Sequence, residues 1–317
     1  MRTLVVGAGF IGKAIARAAA DAGHDVTVVS RRPFAFGDSD GHYDNGTVDK
    51  VVGNVCDPEV TGALVGPATH VFHCTGTAVP AAVEADPAAD LATSLPPLLA
   101  VLGALARHED TSITLLSSGG LVYGRPDHLP ITEDHPTRPI AAAGVNKLVA
   151  EQYVKLHARR QRAAGAGAAR VRILRCANAY GPEQPANRGQ GIIATLLEAA
   201  TTGTPVTVLG DGSTVRDYVH VDDVARAAVA LVEHPEPALV LNVGSGIGTT
   251  VSALIATVER LAQRRLERIT APPRAIDVPA IVLDTHRLQS LLPGFVVRTV
   301  EDGITAMLQP AAIAART

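Results

Sequence analysis

Tryptophan is absent from these 317 residues, and aromatic residues make up only 3% of them. A core of stacked rings is therefore excluded. With 47% hydrophobic content, Ala, Val, Leu and Gly must fill the interior, which suits helices packed closely on a parallel sheet. Cysteine is scarce as well. Cys56, Cys74 and Cys176 are odd in number and far apart, so neither a disulfide framework nor a zinc spacing is present, and no metal site is expected. They read as buried, reduced thiols of a cytoplasmic protein. No excess of one charge exists either: the net charge is −3, and the basic residues are scattered. That pattern argues against a nucleic-acid partner. The short cluster Arg159–Arg162 suits the end of a helix, where cations are favoured. No stretch reads as a membrane span, and the opening "RTLVVGAGFIG" is too broken by glycine for a signal peptide. Internal repeats and low-complexity linkers are also missing. A chain of this length builds one large domain or two intimate ones.

What is present is a rhythm. Thr3–Gly7, Asp25–Ser30, Val48–Gly53, His70–Cys74, Ser112–Ser118 and Arg170–Cys176 are short runs rich in Val, Ile or Leu, each bounded by turn residues. They read as parallel strands buried on both faces. Helical patterns such as Gly12–Ala22 and Val145–Arg160 lie between them. The alternation predicts a doubly wound α/β fold, with ligands at the carboxyl ends of the strands. After Cys176 the rhythm breaks at "ANAYGPEQPANRGQG". A strand in "TPVTVLG", a helix in "VHVDDVARAAVALVEH" capped by Asp222 or Asp223, and a last sheet strand in "LVLNVG" follow. The expected division is a dinucleotide-binding part, 1–175 with 215–243, and a smaller α/β lid, 176–214 with 244–317, with a small-molecule substrate between them.

Gly7, Gly9 and Gly12 form a G-x-G-x-x-G directly after a strand and at the opening of a helix. The first makes the tight turn, the second admits a pyrophosphate, and the third lets helix and strand close up. At the end of the second strand, Ser30 stands where an NAD site carries an acid, and Arg31 and Arg32 follow. Arginine binds a 2′-phosphate that an acid would repel, so NADP(H) is the expected cofactor. Its contacts are expected from Gly7, Gly9, Phe10, Ile11, Gly12, Ser30, Arg31 and Arg32, with Asn54, Val55, Thr75 and Cys176 along the strand ends.

The stretches "GAGFIG", "VFHCTGTA", "SSGGLVYG", "PITEDHP", "GVNKLVAEQY", "RCANAYGPEQ" and "VLGDGSTVRDYVHVDDVA" span nearly the whole chain. Together they resemble the extended short-chain dehydrogenase/reductases, in the nucleotide-sugar epimerase and dehydratase branch typified by UDP-galactose 4-epimerase. The resemblance implies an active site of a strand-end Ser or Thr, a Tyr, and a Lys four residues beyond it on one helix face. It transfers Lys147, which would hold the nicotinamide ribose. The Tyr slot is Ala143, the Ser/Thr slot falls on Gly119 after Ser117 and Ser118, and a helix asparagine of the family falls near Ser94. Asn178 and Arg216 match positions that meet a nucleotide diphosphate in the family. A homodimer through the helix of Lys147 is a further implication of the resemblance.

Loss of a positioned base costs about 10²–10⁴ in rate, and oxidation of an alcohol needs that base most. Reduction of a ketone tolerates the loss better, because positioning alone contributes about 7–11 kcal/mol. Arginine outnumbers lysine 24 to 4, the composition of a GC-rich genome. The expectation is therefore an NADPH-dependent ketoreductase of an aromatic, angucyclinone-like polyketide. Ser118, Lys147, water or the substrate's own phenol supplies the proton or stabilises the oxyanion, and Ala143 and Gly119 leave room for flat rings. The alternatives are a nucleotide-sugar epimerase or dehydratase, native or changed from Tyr to Ala at 143, and a non-catalytic NADP-binding protein.

Overall fold

The computed structural model describes residues 1–37, 42–76, 80–108, 110–164, 170–186, 191–235, 238–274 and 277–309. In chain order the strands are β1 (Arg2–Val6), β2 (Asp25–Ser30), β3 (Asp49–Val52), β4 (His70–His73), β5 (Ser112–Ser118), β6 (Val171–Cys176), β7 (Asn178–Tyr180), β8 (Val206–Leu209), β9 (Val215–His220), β10 (Ala238–Val243), β11 (Gly248–Thr250), β12 (Arg268–Ala271) and β13 (Ala280–Ile281). The helices are α1 (Phe10–Asp21), α2 (Pro58–Val65), α3 (Pro80–Ala85), α4 (Pro87–Leu105), α5 (Gly119–Val122), α6 (Ala142–Ala163), α7 (Ile192–Thr202), α8 (Val221–Ala230), α9 (Val251–Ala262), α10 (His286–Leu291) and α11 (Val300–Leu308). The strands expected in the first two-thirds all form, within a residue or two of their expected ends.

Seven strands make one parallel sheet in the order β10-β6-β5-β4-β1-β2-β3. Strand order reverses between β1 and β4, and a crevice for ligand opens at such a point. Helices α1 and α8 pack together and cover one face, over Val5, Phe72, Leu116, Leu174 and Leu241. On the other face α2, α4 and α6 cover Leu4, Val6, Val71, Leu115 and Ile173. The fold is thus doubly wound, and its strands are apolar on both sides because both are buried. Strand β9 leaves this sheet and pairs with β7, β11 and β13, while β8 pairs with β12. A third core, with Leu196, Leu197, Leu254, Val258 and Ile304, lies among α7, α9 and α11.

Three local expectations need correction. The cap of α8 is His220, whose side chain accepts from the Asp222 N–H at 3.2 Å, so Asp222 and Asp223 lie in the first turn, where the helix dipole favours acids. Cys56 is exposed, not buried, because it sits in the turn before α2. Helix α4 is long and apolar enough by length and composition to cross a membrane, with a hydropathy of 1.5 over its most apolar window. It carries Pro96 and Pro97 inside and packs on α2 and α6.

Candidate functional site

The switch point holds the glycine cradle. Gly7, at φ 106°, turns the chain out of β1 and donates its N–H to Val29 O at 2.9 Å. A Cβ on Gly12 would lie 1.9 Å from Gly7 O, so only glycine lets α1 close on this turn. A Cβ on Gly9 would meet nothing within 4 Å, which leaves open space in front of α1. The first turn of α1, opening at Phe10 and Ile11, has no side-chain cap and no acid. Its free N–H groups and the helix dipole face that space, and the cradle fits a dinucleotide pyrophosphate. Arg31 and Arg32 are exposed beyond β2, and neither guanidinium has an ion-pair partner among the described residues. Ser30 Oγ accepts weakly from the Arg32 N–H at 3.5 Å. Asn54 is exposed, and its side chain accepts from the Cys56 N–H at 3.1 Å. The Val55 side chain packs into the core with Leu4 and Val29, so a cofactor contact from this residue would come from its backbone.

Lys147 projects from α6 into a small cavity lined also by His73, Thr75, Gly76, Ser94 and Asn146. Three residues far apart in sequence, Thr75, Ser94 and Lys147, thus meet. Lys147 Nζ donates to Leu116 O at 3.2 Å. A Cβ on Gly76 would lie 2.9 Å from that nitrogen, so the glycine keeps the ammonium's place open. Some surface of Lys147 remains accessible, yet dense packing around its nitrogen pushes the pKa below the ordinary lysine value. Burial, with Lys147 nearby, also holds His73 near 3, so this imidazole is neutral; its Nε2 lies 3.1 Å from Thr75 Oγ1. Burial pushes the Cys176 thiol up to about 12. Cys176 is a core residue, 3% exposed, and does not line the cavity. Thr77 and Ala78 of "VFHCTGTA", and residues 187–190, lie outside the described residues.

Ser118 ends β5 beside α5 and does not line the Lys147 cavity. It stands near Asn178: a Cβ on Gly120 would lie 3.0 Å from Asn178 Oδ1 and 3.8 Å from Ser118 Oγ. The room expected at Gly119 and Ala143 is not there. A Cβ at Gly119 would lie 2.6 Å from Leu283 Cδ1 and 3.1 Å from Arg175 O, so this slot is filled by a leucine from another part of the chain. Ala143 is 0% exposed and is not among the cavity's lining residues. No other tyrosine among the described residues stands in for a phenol at 143. Tyr123 donates to Asn242 Oδ1 at 2.7 Å, and burial pushes it up to about 12. Tyr180 and Tyr218 are buried, and Tyr153 points outward from α6.

Sequence reasoning missed the group that anchors α6. Glu151, 0% exposed, takes the Arg175 guanidinium at 3.0 and 2.7 Å and the Ser117 hydroxyl at 2.7 Å. Its carboxyl is held below the usual range by these partners, although burial acts the other way as the largest single effect. Arg216 lies on β9, half-buried. Its guanidinium donates to Val215 O and Val278 O at 2.8 Å, and Tyr218, Asp277 and Arg274 are its charged or ionisable neighbours.

The model of the NAD dependent epimerase/dehydratase family matches residues 3–244. UDP-glucose 4-epimerase of Mycolicibacterium smegmatis is 30% identical over 303 residues, 92% of each chain. Some other relatives align over only about 60% of their own length. The structure of UDP-glucose 4-epimerase of Thermotoga maritima with UDP-glucose superposes with a TM-score of 0.84 at 30% identity, over 96% of both chains. That of the Thermus thermophilus enzyme with NAD gives 0.83 at 28%, over 100% of this chain and 99% of that one. These likenesses to nucleotide-sugar epimerases overturn the expectation of an aromatic-polyketide ketoreductase, as do the filled spaces at Gly119 and Ala143. The cradle, the lysine of α6, the doubly wound sheet and the match over most of the chain agree: the protein belongs to the NAD-dependent epimerase/dehydratase family.

Proposed function

We propose that the protein binds a nicotinamide dinucleotide and a nucleoside-diphosphate sugar and acts on the sugar as an epimerase-type oxidoreductase. The observation that carries this reading is the meeting of Lys147, Ser94 and Thr75 in one cavity at the strand ends that also hold the Gly9 cradle. The relatives named as UDP-glucose 4-epimerases support the substrate class. Arg31 and Arg32, without ion-pair partners among the described residues, and Ser30 in place of an acid support NADP(H) over NAD(H). Lys147 orients the ribose and holds positive charge beside the reacting carbon. The bound nicotinamide supplies hydride exchange. With Ala143 in the phenol's slot, Lys147 in its neutral form would take the sugar hydroxyl's proton as the alcohol is oxidised and return it when the ketone is reduced. Its lowered pKa makes that form more accessible than in an exposed lysine, while the Ser118 hydroxyl would hydrogen-bond the sugar oxygen. Arg216 and Asn178 bind the diphosphate side of the substrate. The division into 1–175 with 215–243, and 176–214 with 244–317, places the sugar between the two parts.

Calorimetric titration with UDP, TDP, NADPH and NADH tests this reading, together with NMR detection of hexose interconversion in UDP-glucose. The expected result is saturable UDP or TDP binding that Arg216→Ala weakens, tighter binding of NADPH than NADH, and turnover abolished by Lys147→Met. Absence of nucleotide binding in the wild type would refute it. The filled positions Gly119 and Ala143 favour one second reading, a cofactor-binding protein without catalysis. It predicts the same binding isotherms with no interconversion.

A further inference from the structure

Helices α4 and α6 pack side by side, and both line the small cavity of the cleft, α4 through Ser94 and α6 through Asn146 and Lys147. The seam between them holds an acid that has no part in the activity proposed so far. Asp90 lies one helical turn before Ser94 on α4 and is 6% exposed. Its carboxylate accepts from Asn146 Nδ2 at 2.7 Å, and the same amide reaches Pro87 O at 3.5 Å. Asn146 thus borders the cavity, precedes Lys147 in the chain and fixes a carboxylate just outside the cavity's lining.

The surroundings of Lys147 give that carboxylate a use. Its ammonium donates to Leu116 O, and no carboxylate lies within ion-pair distance of it among the described residues. The ionisable groups around it are His73 and Cys74 from β4, Cys176 from β6, Glu151 from its own helix and Asp90 from α4. The imidazole is neutral, and burial pushes both thiols up, so they keep their protons. Two carboxylates are left. Glu151 takes the Arg175 guanidinium through both oxygens, and that cation offsets its field at Lys147. The Asn146 amide is neutral, so it orients the Asp90 carboxylate without cancelling its charge.

We infer that Asp90 is a positioning residue for Lys147: fixed by Asn146 across the seam of α4 and α6, its carboxylate supplies the negative charge that keeps the lysine's ammonium form within reach in the cleft. A lysine that takes a proton and returns it needs both of its forms. Burial favours the neutral form, and Asp90 restores the charged one. This role rests, for its catalytic meaning, on the reading of Lys147 as the group that exchanges the sugar's proton.

The chain has four lysines, so each ε-carbon resonance can be followed by NMR in the free protein, with Lys147→Met assigning one of them. Asp90→Asn keeps an oxygen for Asn146 and removes the charge. The Lys147 titration midpoint should then fall by about 0.5–1 pH unit, while Lys13, Lys50 and Lys155 stay in place. Asp90→Ser, a smaller neutral residue, should give the same fall and serves if the amide variant does not fold. Asn146→Ala loosens the carboxylate but keeps its charge, so it should give a smaller fall. The rising limb of the pH profile of hexose interconversion should move to lower pH in Asp90→Asn by the same amount. An unmoved Lys147 midpoint in the Asp90 variants, or an equal fall in Asn146→Ala, would overturn the proposal. A lowered midpoint with an unmoved pH profile would uphold Asp90 and overturn instead the acid–base role of Lys147.

Discussion

Gly9 and Gly12 are three residues apart in one motif, yet the structure gives them opposite liabilities. Gly12→Ala forces a Cβ against Gly7 O, so the free protein should lose stability and its urea midpoint should fall. Gly9 has φ −79°, which alanine adopts easily, and its Cβ would meet nothing. Gly9→Ala should therefore leave the midpoint of the free protein in place and weaken NADPH binding in a titration. Ala143 belongs to the same scale. Because it is fully enclosed, Ala143→Tyr should overpack the site and lower stability by about 1–3 kcal/mol, read as a fall in the urea midpoint. An unchanged midpoint would mean that the enclosure yields readily and that a phenol fits there.

Helix α6 shows how far an element can be read from its own residues. Its helical pattern was legible because helix periodicity is local, and the four-residue step from Ala143 to Lys147 was legible from the family resemblance. Its anchor was not. Glu151 reads as the glutamate that closes the motif of Lys147, but its partner is not legible until Arg175, 24 residues away on β6, arrives beside it. Removal of one partner from a buried ion pair costs about 3–5 kcal/mol. Glu151→Gln should lower the unfolding free energy by that order in urea titration, and the loss should be smaller in Ser117→Ala, which removes only a hydroxyl donor. Because α6 also carries Lys147, Glu151→Gln should loosen that lysine and reduce cofactor affinity.

For the whole molecule, the buried imidazoles set the response to acid. His70 and His73 have pKa values pushed below the ordinary histidine value by burial, His73 to about 3. In the unfolded chain both return to about 6.5. Between those limits the unfolded state binds protons that the folded state rejects, so stability falls as pH drops below about 6.5 and continues to fall toward about 3. Unfolding free energies measured from about pH 7 to about pH 4 should show this slope, and His73→Gln should flatten it. Glu151 adds to the loss at the acid end, since its folded pKa is depressed. Helices α4 and α6 leave Leu99, Val145 and Tyr153 exposed at 38%, 46% and 39%. We propose that this face pairs two copies of the chain. Sedimentation should then give a dimer that Tyr153→Arg weakens, and a monomeric wild type would dispose of the idea.

By itself the sequence determined the doubly wound fold class, the glycine cradle and the strand limits, and its resemblance to a family marked the lysine of the cleft. The first three depend on short-range properties: side-chain period and glycine's freedom at positive φ in Gly7. Only the tertiary structure decided what surrounds those residues. A missing side chain at Gly119 or Ala143 reads as empty space in a one-dimensional string, but Leu283 closes over Gly119, and Ala143 is fully enclosed. Likewise no local pattern distinguishes Arg175, which finds Glu151, from Arg172, which finds no acid among the described residues. Those two arginines lie on one strand, three residues apart and therefore on opposite faces of the sheet, and their partners come from elements far away in the chain.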